Sequence, residues 1–285
     1  MGLGTDQMTG TTLAVFRPNI WSMETLKARE SNLVLVPLVK HYDRDIAGKG
    51  QTVEIPNLSN LTANAKAANT QVTLNAVTET KTTISINQHY ESSFLLEDFA
   101  DIQSAYDAAR EYTQKTGYAL AEKMDKFVAT DLTANAAKTI GVAGTALDDT
   151  VILTANRYLD DAKAPTTERY LVVTPKGKQD LLAVDKYVTY NALGVGGDAN
   201  SIKNGRIGQI YGVEVFMSQN LVVTAGTPDT HKNIMFHREA YAIAVQKNIS
   251  FEEQRKAEYL GTLYVAQSLW GGKILRSDHA VTVQC

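Results

Sequence analysis

Residues 101–135 constrain this chain more than any other stretch. Apolar side chains recur at Ile102, Ala105, Ala109, Tyr112, Leu120, Met124, Phe127, Val128 and Leu132, mostly in steps of three or four. That spacing lays one stripe along a 3.6-residue helix. The charged residues Asp107, Arg110, Glu111, Lys115, Glu122, Lys123 and Lys126 fall largely between the stripe positions. Asp98 and Asp101 are both N-cap candidates, because a short carboxylate accepts from the free N–H groups of a first turn. No proline interrupts the segment and Gly117 is its only glycine, a local cost of about 1 kcal/mol. A helix of this length spans about 50 Å, where ordinary globular helices run to about a dozen residues. It is a spine that the rest of the chain must dress. By itself it would suit an enzyme core as well as anything else.

The flanking segments say what does the dressing. Residues 1–17 are rich in Gly and Thr and read as a flexible arm. Pro18 and Asn19 open a short helix carrying Trp21, Leu26 and Ala28, with Trp21 either a core anchor or an anchor between subunits. The apolar run 33–39 contains Pro37, which cannot donate to a ladder, so an edge or irregular strand is expected there. Gly48 and Gly50 punctuate the chain before an alternating strand at 52–56, with Val53 and Ile55 on one face. Between 57 and 76 the one charge is Lys66, and the stretch has too little apolar content for a core of its own. A disordered linker is one reading. The alternation of Val72, Leu74 and Ala76, and of Thr82, Ile84, Ile86 and Gln88, supports another: two arms of a long hairpin. Its polar tip holds Lys66 and Thr70. A hairpin that long is unstable alone in water, so it needs a neighbour to lie on.

Beyond the spine, residues 140–149 read as a loop and 150–164 as a helix with Ile152, Ala155, Tyr158, Leu159 and Ala162 on one side. A buried strand at 169–175 is stopped by Pro175, a short helix follows at 178–184, and 187–200 is a Gly/Asn/Tyr-rich loop containing Tyr187, Tyr190 and Asn191. A hairpin is expected over 205–217 with its turn near Tyr211 and Gly212. A strand over 233–237 then leads into a short apolar helix, 238–245. Strands at 249–255 and 261–269, a turn at Gly271-Gly272 and a closing strand over 274–283 complete an α+β architecture.

A search for chemistry finds few parts. Gly194-Val-Gly-Gly197 lacks the strand before it and the helix after it that a dinucleotide loop requires. His231 and His237 lie six apart with no cysteine cluster beside them, which argues for packing or solvated histidines over metal ligands. Ser92, Ser93, His89 and Asp98 are close in sequence, but no G-x-S-x-G elbow accompanies them. The Glu252, Glu253, Arg255, Lys256 run is most simply a solvated strand or turn. No catalytic residue, cofactor or metal site is assigned. With 44% hydrophobic residues, 21% charged and a net charge of −3, the chain has the balance of a soluble globular protein without the basic footprint of a dedicated nucleic-acid binder. No run of 18 apolar residues is present, so no membrane span is expected. Cys285, the one cysteine, excludes an internal disulfide and is expected to fray at the terminus.

Taken in order, these segments resemble the major capsid proteins of tailed double-stranded-DNA bacteriophages, the Hong Kong phage type of fold shared with encapsulin shells. The resemblance runs over about 16–283. It rests on Pro18-Asn-Ile-Trp21; on 48–56, similar to G-x-G-x-T-V-x-I-P; and on Ile84 to Gln88 with Phe94, Asp98 and Gln103. It rests also on R-x-L-V-V-x-P at 169–175 with Leu181-Leu182, on G-x-I-G-x-I-x-G at 205–212, and on H-x-x-A at 237–240. It implies a shell protein with an N-terminal arm (1–40), an extended hairpin loop (41–90), a peripheral domain (91–139 and 233–285, spine helix 101–135) and an axial domain (140–232). It further implies pentamers and hexamers closing an icosahedron, assembled in the host cytoplasm with a scaffolding protein and a portal, around DNA contacted non-specifically, and no membrane. Residues expected at subunit interfaces are Trp21, Lys66, Thr70, Tyr187, Tyr190 and Asn191. Some family members cross-link through a loop lysine. Nothing near Lys66 identifies a partner, so an exposed polar lysine is the preferred reading. With no long extension before Phe16, the expectation is that a fused scaffolding domain is either absent or was removed before this mature form. An encapsulin-like compartment, an α+β enzyme and an adhesion or tail protein are the alternatives.

Overall fold

The computed structural model describes residues 30–46, 50–59, 61–98, 108–184 and 208–285. Its spine is helix α2 (Ala108–Asn135). The start of the expected span, 101–107, lies outside the described residues. Leu120, Met124, Val128, Ala129 and Leu132 are buried, as their spacing requires. Gly117 has a local reason: a Cβ there would sit 3.2 Å from the ring of Phe251.

The spine lies against a four-stranded sheet of order β1-β11-β12-β4. Strands β11 (Tyr241–Lys256) and β12 (Gly261–Ile274) form a long antiparallel hairpin, and β4 (Gln88–Glu97) pairs antiparallel with β12. Strand β1 (Lys40–His41) joins β11 in parallel. Alternate residues of β4 turn inward, so Tyr90 stacks on Trp270 (centroids 5.2 Å apart) and Phe94 on Tyr264 (5.0 Å). Tyr112 of the spine reaches the same Phe94 ring at 5.6 Å. Aromatic pairs of this geometry add about 1 kcal/mol each beyond the area they bury.

A second, seven-stranded sheet runs β5-β13-β10-β6-β8-β7, with β9 (Val223–Thr224) on β10. Strand β6 (Arg169–Val173) is parallel to β8 (Val213–Met217) and antiparallel to β10 (Thr230–His237), and β13 (Ala280–Gln284) lies between β10 and β5 (Lys138–Gly141). Helices α3 (Asp149–Asp161) and α4 (Pro175–Ala183) cover one face, over Leu159, Leu171, Leu181 and Met235. The other face, through Val172, Ile234 and Phe236, packs with Val128 and Leu132 of the spine and Trp270 of the first sheet. Neighbours Ile234, Met235 and Phe236 thus feed different cores, which is why 234–236 is apolar without alternation.

Several sequence expectations hold. The helix expected over 150–164 is α3; the structure caps it with Asp148, which accepts from Val151 N–H at 3.0 Å. The 205–217 hairpin turns at Tyr211 and Gly212, both at positive φ (49° and 80°), between β7 (Gln209–Ile210) and β8.

Others are corrected. The 33–39 run contains one helical turn, α1 (Leu35–Leu38), not a strand; Pro37 falls in its first turn, where an N–H has no intrahelical partner. Pro175 opens α4 as well as ending β6, because Thr174 caps the helix and a proline at the first position is pre-set for it. The helix expected over 238–245 is a 3₁₀ turn (Arg238–Ala240) followed by β11. Residues 241–244 are buried on both faces of the sheet, and such a run has no period to distinguish strand from helix. The loop expected from residue 140 begins after β5. Cys285 is not frayed: it is buried and exchanges both backbone hydrogen bonds with His231 (3.0 and 3.1 Å).

The Gly271-Gly272 pair lies inside β12 and is not a turn. Its reason is close approach. A Cβ on Gly271 would lie 2.1 Å from the Ser85 carbonyl oxygen, and one on Gly272 would lie 2.5 Å from the Tyr241 hydroxyl. The base of the loop hairpin can touch the sheet only where no side chain intervenes. Gly271→Ala is therefore expected to destabilise the subunit by about 3 kcal/mol, read as a lower urea midpoint with an unchanged slope.

Candidate assembly surfaces

Three positions one or two turns apart on the spine, Tyr118, Glu122 and Asp125, present polar groups to the incoming chain. The Tyr118 hydroxyl accepts from Ser31 N–H (2.6 Å) and donates to the Ser31 carbonyl (2.8 Å). The Ser31 hydroxyl reaches Asn220 Oδ1 at 2.8 Å and Glu122 at 3.3 Å. Asp125 is fully buried. Its Oδ1 accepts from Leu35 and Val36 N–H at 2.7 and 3.2 Å, and its Oδ2 from Asn220 Nδ2 at 2.9 Å. Helix α1 has no capping side chain of its own, so a carboxylate ninety residues away in sequence does that work.

The second surface is the loop. Strand β2 (Thr52–Asn57) pairs antiparallel with β3 (Thr80–Ser85), from Thr52 opposite Ser85 to Asn57 opposite Thr80. The base is anchored: Val53, Ile84 and Ile86 pack with Ile46, Ala242 and Ala244. Gln246 Nε2 donates to the Gly50 carbonyl (2.9 Å) and Lys273 Nζ to the Thr83 carbonyl (3.2 Å). Beyond Asn57 the pairing stops, so the expected second stretch of arm around 72–76 forms no ladder. Asn75 ties the two sides instead, accepting from Asn64 Nδ2 (2.9 Å) and donating to the Thr62 carbonyl (2.6 Å). Between these ties Leu58, Leu61, Val72, Leu74 and Val77 lie in the open, Leu74 at 86% of its full exposure.

Lys66 and Thr70 both sit at the exposed tip. The Thr70 hydroxyl donates to the Ala67 carbonyl at 2.7 Å, closing a turn through Asn69 at φ 59°. That leaves Lys66 as the exposed polar lysine read from sequence. Trp21, Tyr187, Tyr190 and Asn191 lie outside the described residues. Asp98, a cap candidate from sequence, gives both carboxylate oxygens to Arg255, and that guanidinium holds its pKa below the usual value. Sequence reasoning missed Asp125 and Asn220. The one signal was an acidic residue beside the apolar stripe position Met124.

Near this seam a mostly apolar niche of ≈ 470 Å³ opens between Leu33, Val36, Ala121, Met124, Val245 and Ile249, with His41, Asp43 and Asn248 also in its lining. Its wall on β11 is irregular, because the register shifts twice between Val245 and Ser250. Among the described residues no three His, Cys, Asp or Glu side chains are grouped to hold a metal ion, and no helix is long and apolar enough to cross a membrane.

The family model described as "Phage capsid protein" matches residues 43–285. The chain belongs to that family. This capsid protein is similar to the structure described as "Mycobacterium phage Che8", at 28% identity and a TM-score of 0.82, over 94% of this chain and 97% of that one. The "Capsid structure of the Cyanophage P-SCSP1u" shares its fold at 20% identity and a TM-score of 0.78, over 99% and 96%. So does the "Capsid of Ralstonia phage GP4" at 14% and 0.70, over 94% of both chains. No curated protein sequence matches it. Family and fold are those of a structural shell protein of the virion capsid that associates with copies of itself, not those of an enzyme.

The Asp125 seam generates a test on the capsid protein. Asp125→Ala leaves three donors without their acceptor and is expected to cost about 3 kcal/mol. Amide hydrogen exchange is expected to show loss of protection first at residues 31–36, ahead of the spine.

Proposed function

We propose that this capsid protein forms pentamers and hexamers that close an icosahedral shell around double-stranded DNA. The loop 58–79 carries the reading. Five large aliphatics stand exposed on a segment whose base is fixed, with no cover among the described residues. Covering each is worth about 2 kcal/mol, or about 10 kcal/mol for the set, which is comparable with the cost of fixing one subunit in an assembly. A neighbouring copy supplies that cover. Its niche between spine, arm and β11 has the lining and the volume for aliphatic side chains.

In this reading residues 1–40 are the arm and 41–90 the extended loop. The four-stranded sheet with the spine forms the peripheral domain, and the seven-stranded sheet forms the axial domain. The hydrogen bonding of β10 and β13 to β6 and β5 supports moving 233–237 and 280–285 from the peripheral to the axial side. Trp21, Lys66, Thr70, Tyr187, Tyr190 and Asn191 remain the proposed contacts between subunits, the last three near the capsomer axis. Assembly takes place in the host cytoplasm with a scaffolding protein and a portal. A net charge of −3 suits an inner face that encloses DNA without gripping it.

Electron microscopy of the protein expressed alone and with its upstream neighbouring gene tests the reading. Closed shells or capsomer rings are expected for the unmodified chain. For Leu61→Asp/Leu74→Asp the subunit is expected to keep its circular dichroism and urea midpoint while shell yield falls at least tenfold. Wild-type yield from that variant would overturn the role given to the loop.

A further inference from the structure

The two sheets meet at one junction, and the chain crosses it three times: from α2 into β5, from β10 into β11, and from β12 into β13. The crossings are tied to one another through the backbone. Ala137 N–H donates to the Ser277 carbonyl (2.9 Å), and Leu275 and Arg276 N–H both donate to the Ala240 carbonyl (2.8 and 3.1 Å). Arg238 N–H donates to the Glu168 carbonyl at 3.1 Å. Two histidines stand inside this knot. His237 ends β10, and His279 ends the 3₁₀ turn (Ser277–His279) that leads into β13. Each is 3% exposed, and their rings meet edge to face with centroids 5.9 Å apart.

The His237 ring is placed for its neutral form. His237 Nδ1 accepts from Glu239 N–H at 3.2 Å, a contact that a protonated nitrogen cannot make. His279 Nδ1 is buried with no acceptor among the described residues, and its Nε2 is 4.0 Å from the Asp278 carboxylate, too far for a hydrogen bond. Two cations on adjacent buried rings would also repel each other. The charges around the pair do not reverse this. Glu239 and Glu168 favour a proton on His237, but Glu239 is matched by Lys40 (3.2 Å) and Glu168 by Arg238 (2.9 Å). Arg169 on β6 opposes the proton, Arg276 adds a second cation beside the turn, and Asp278 points largely into solvent. Burial is the largest influence and lowers the His237 pKa.

We propose that His237, packed edge to face on His279, forms a proton-sensitive latch across the junction of the two sheets, closed while the His237 ring is neutral and loosened when it takes a proton. A group whose pKa is lowered by folding contributes stability above the ordinary histidine value of about 6.5 and loses it as pH falls through the folded value. The backbone ties at Ala137, Ala240 and Leu275 are then released while both sheets keep their own ladders, and the angle between the sheets is freed.

Hydrogen exchange by mass spectrometry on free subunits and on assembled protein, at pH 7.5 and pH 5.0 and corrected for intrinsic rates, reads the latch. Peptides covering 237–241 and 275–280 are expected to lose protection at least tenfold in acid relative to peptides in the middle of β12 and α2. The double variant His237→Gln/His279→Gln is expected to lose that response; a variant that keeps it overturns the proposal. Should the variant fail to fold, the unmodified protein decides. Exchange of the imidazole C2 hydrogen reads the titration of His237, and junction opening must share its midpoint, below the ordinary histidine range. Unchanged protection between the two pH values, or opening at a midpoint other than that of His237, overturns the proposal.

Discussion

A single buried carboxylate ties the entry of the chain to its body. Asp125 receives two N–H groups of α1 and the amide of Asn220, so it joins the arm, the spine and the segment after β8. A charged group in the interior is tolerable only when its acceptor capacity is filled, and here three donors from two distant segments fill it. The consequence is geometric. Leu35 and Val39 enter the core beside Val128 and Leu132 because α1 is capped from the spine, and β1 then reaches β11 in parallel register.

The same logic of filled and unfilled capacity separates the interior from the assembly surface. The seven-stranded sheet is apolar on both faces and satisfied on both, by α3 and α4 on one side and by the spine and the first sheet on the other. The loop is the reverse case. Its base is packed and its backbone is tied at Asn75, yet its aliphatics have nothing among the described residues to cover them. A subunit with a completed core and an uncompleted loop is suited to a protein whose final state is a shell of many copies.

The loop, the spine and the main α+β order were legible in the sequence because each depends on local period and composition. The stripe from Leu120 to Leu132 and the Tyr211-Gly212 turn act within a few residues of themselves, so local reasoning reaches them. The charge-poor stretch after Asn57 revealed its need for a neighbour through what it lacks. Residues 238–245 were misread because a strand buried on both faces carries no alternation. The Gly271-Gly272 pair was misread because glycine in a turn and glycine under a crossing backbone look alike in one dimension. Cys285 was misread because terminal position says nothing about pairing, which His231 supplies.

By itself, then, the sequence determined the long helix, the strand-rich last third, the unpartnered loop and the family resemblance that residues 43–285 bear out. Tertiary structure decided which acceptor caps α1, why β12 needs two glycines, and that β10 and β13 belong to one sheet while β11 and β12 belong to another. It also decided that two histidines forty-two residues apart share one buried junction. The physical reason is range. Helical period, turn chemistry and capping are settled within a turn or two of chain, whereas a hydrogen bond from Leu35 to Asp125 or a close approach of Ser85 to Gly271 exists only once distant segments have been brought together.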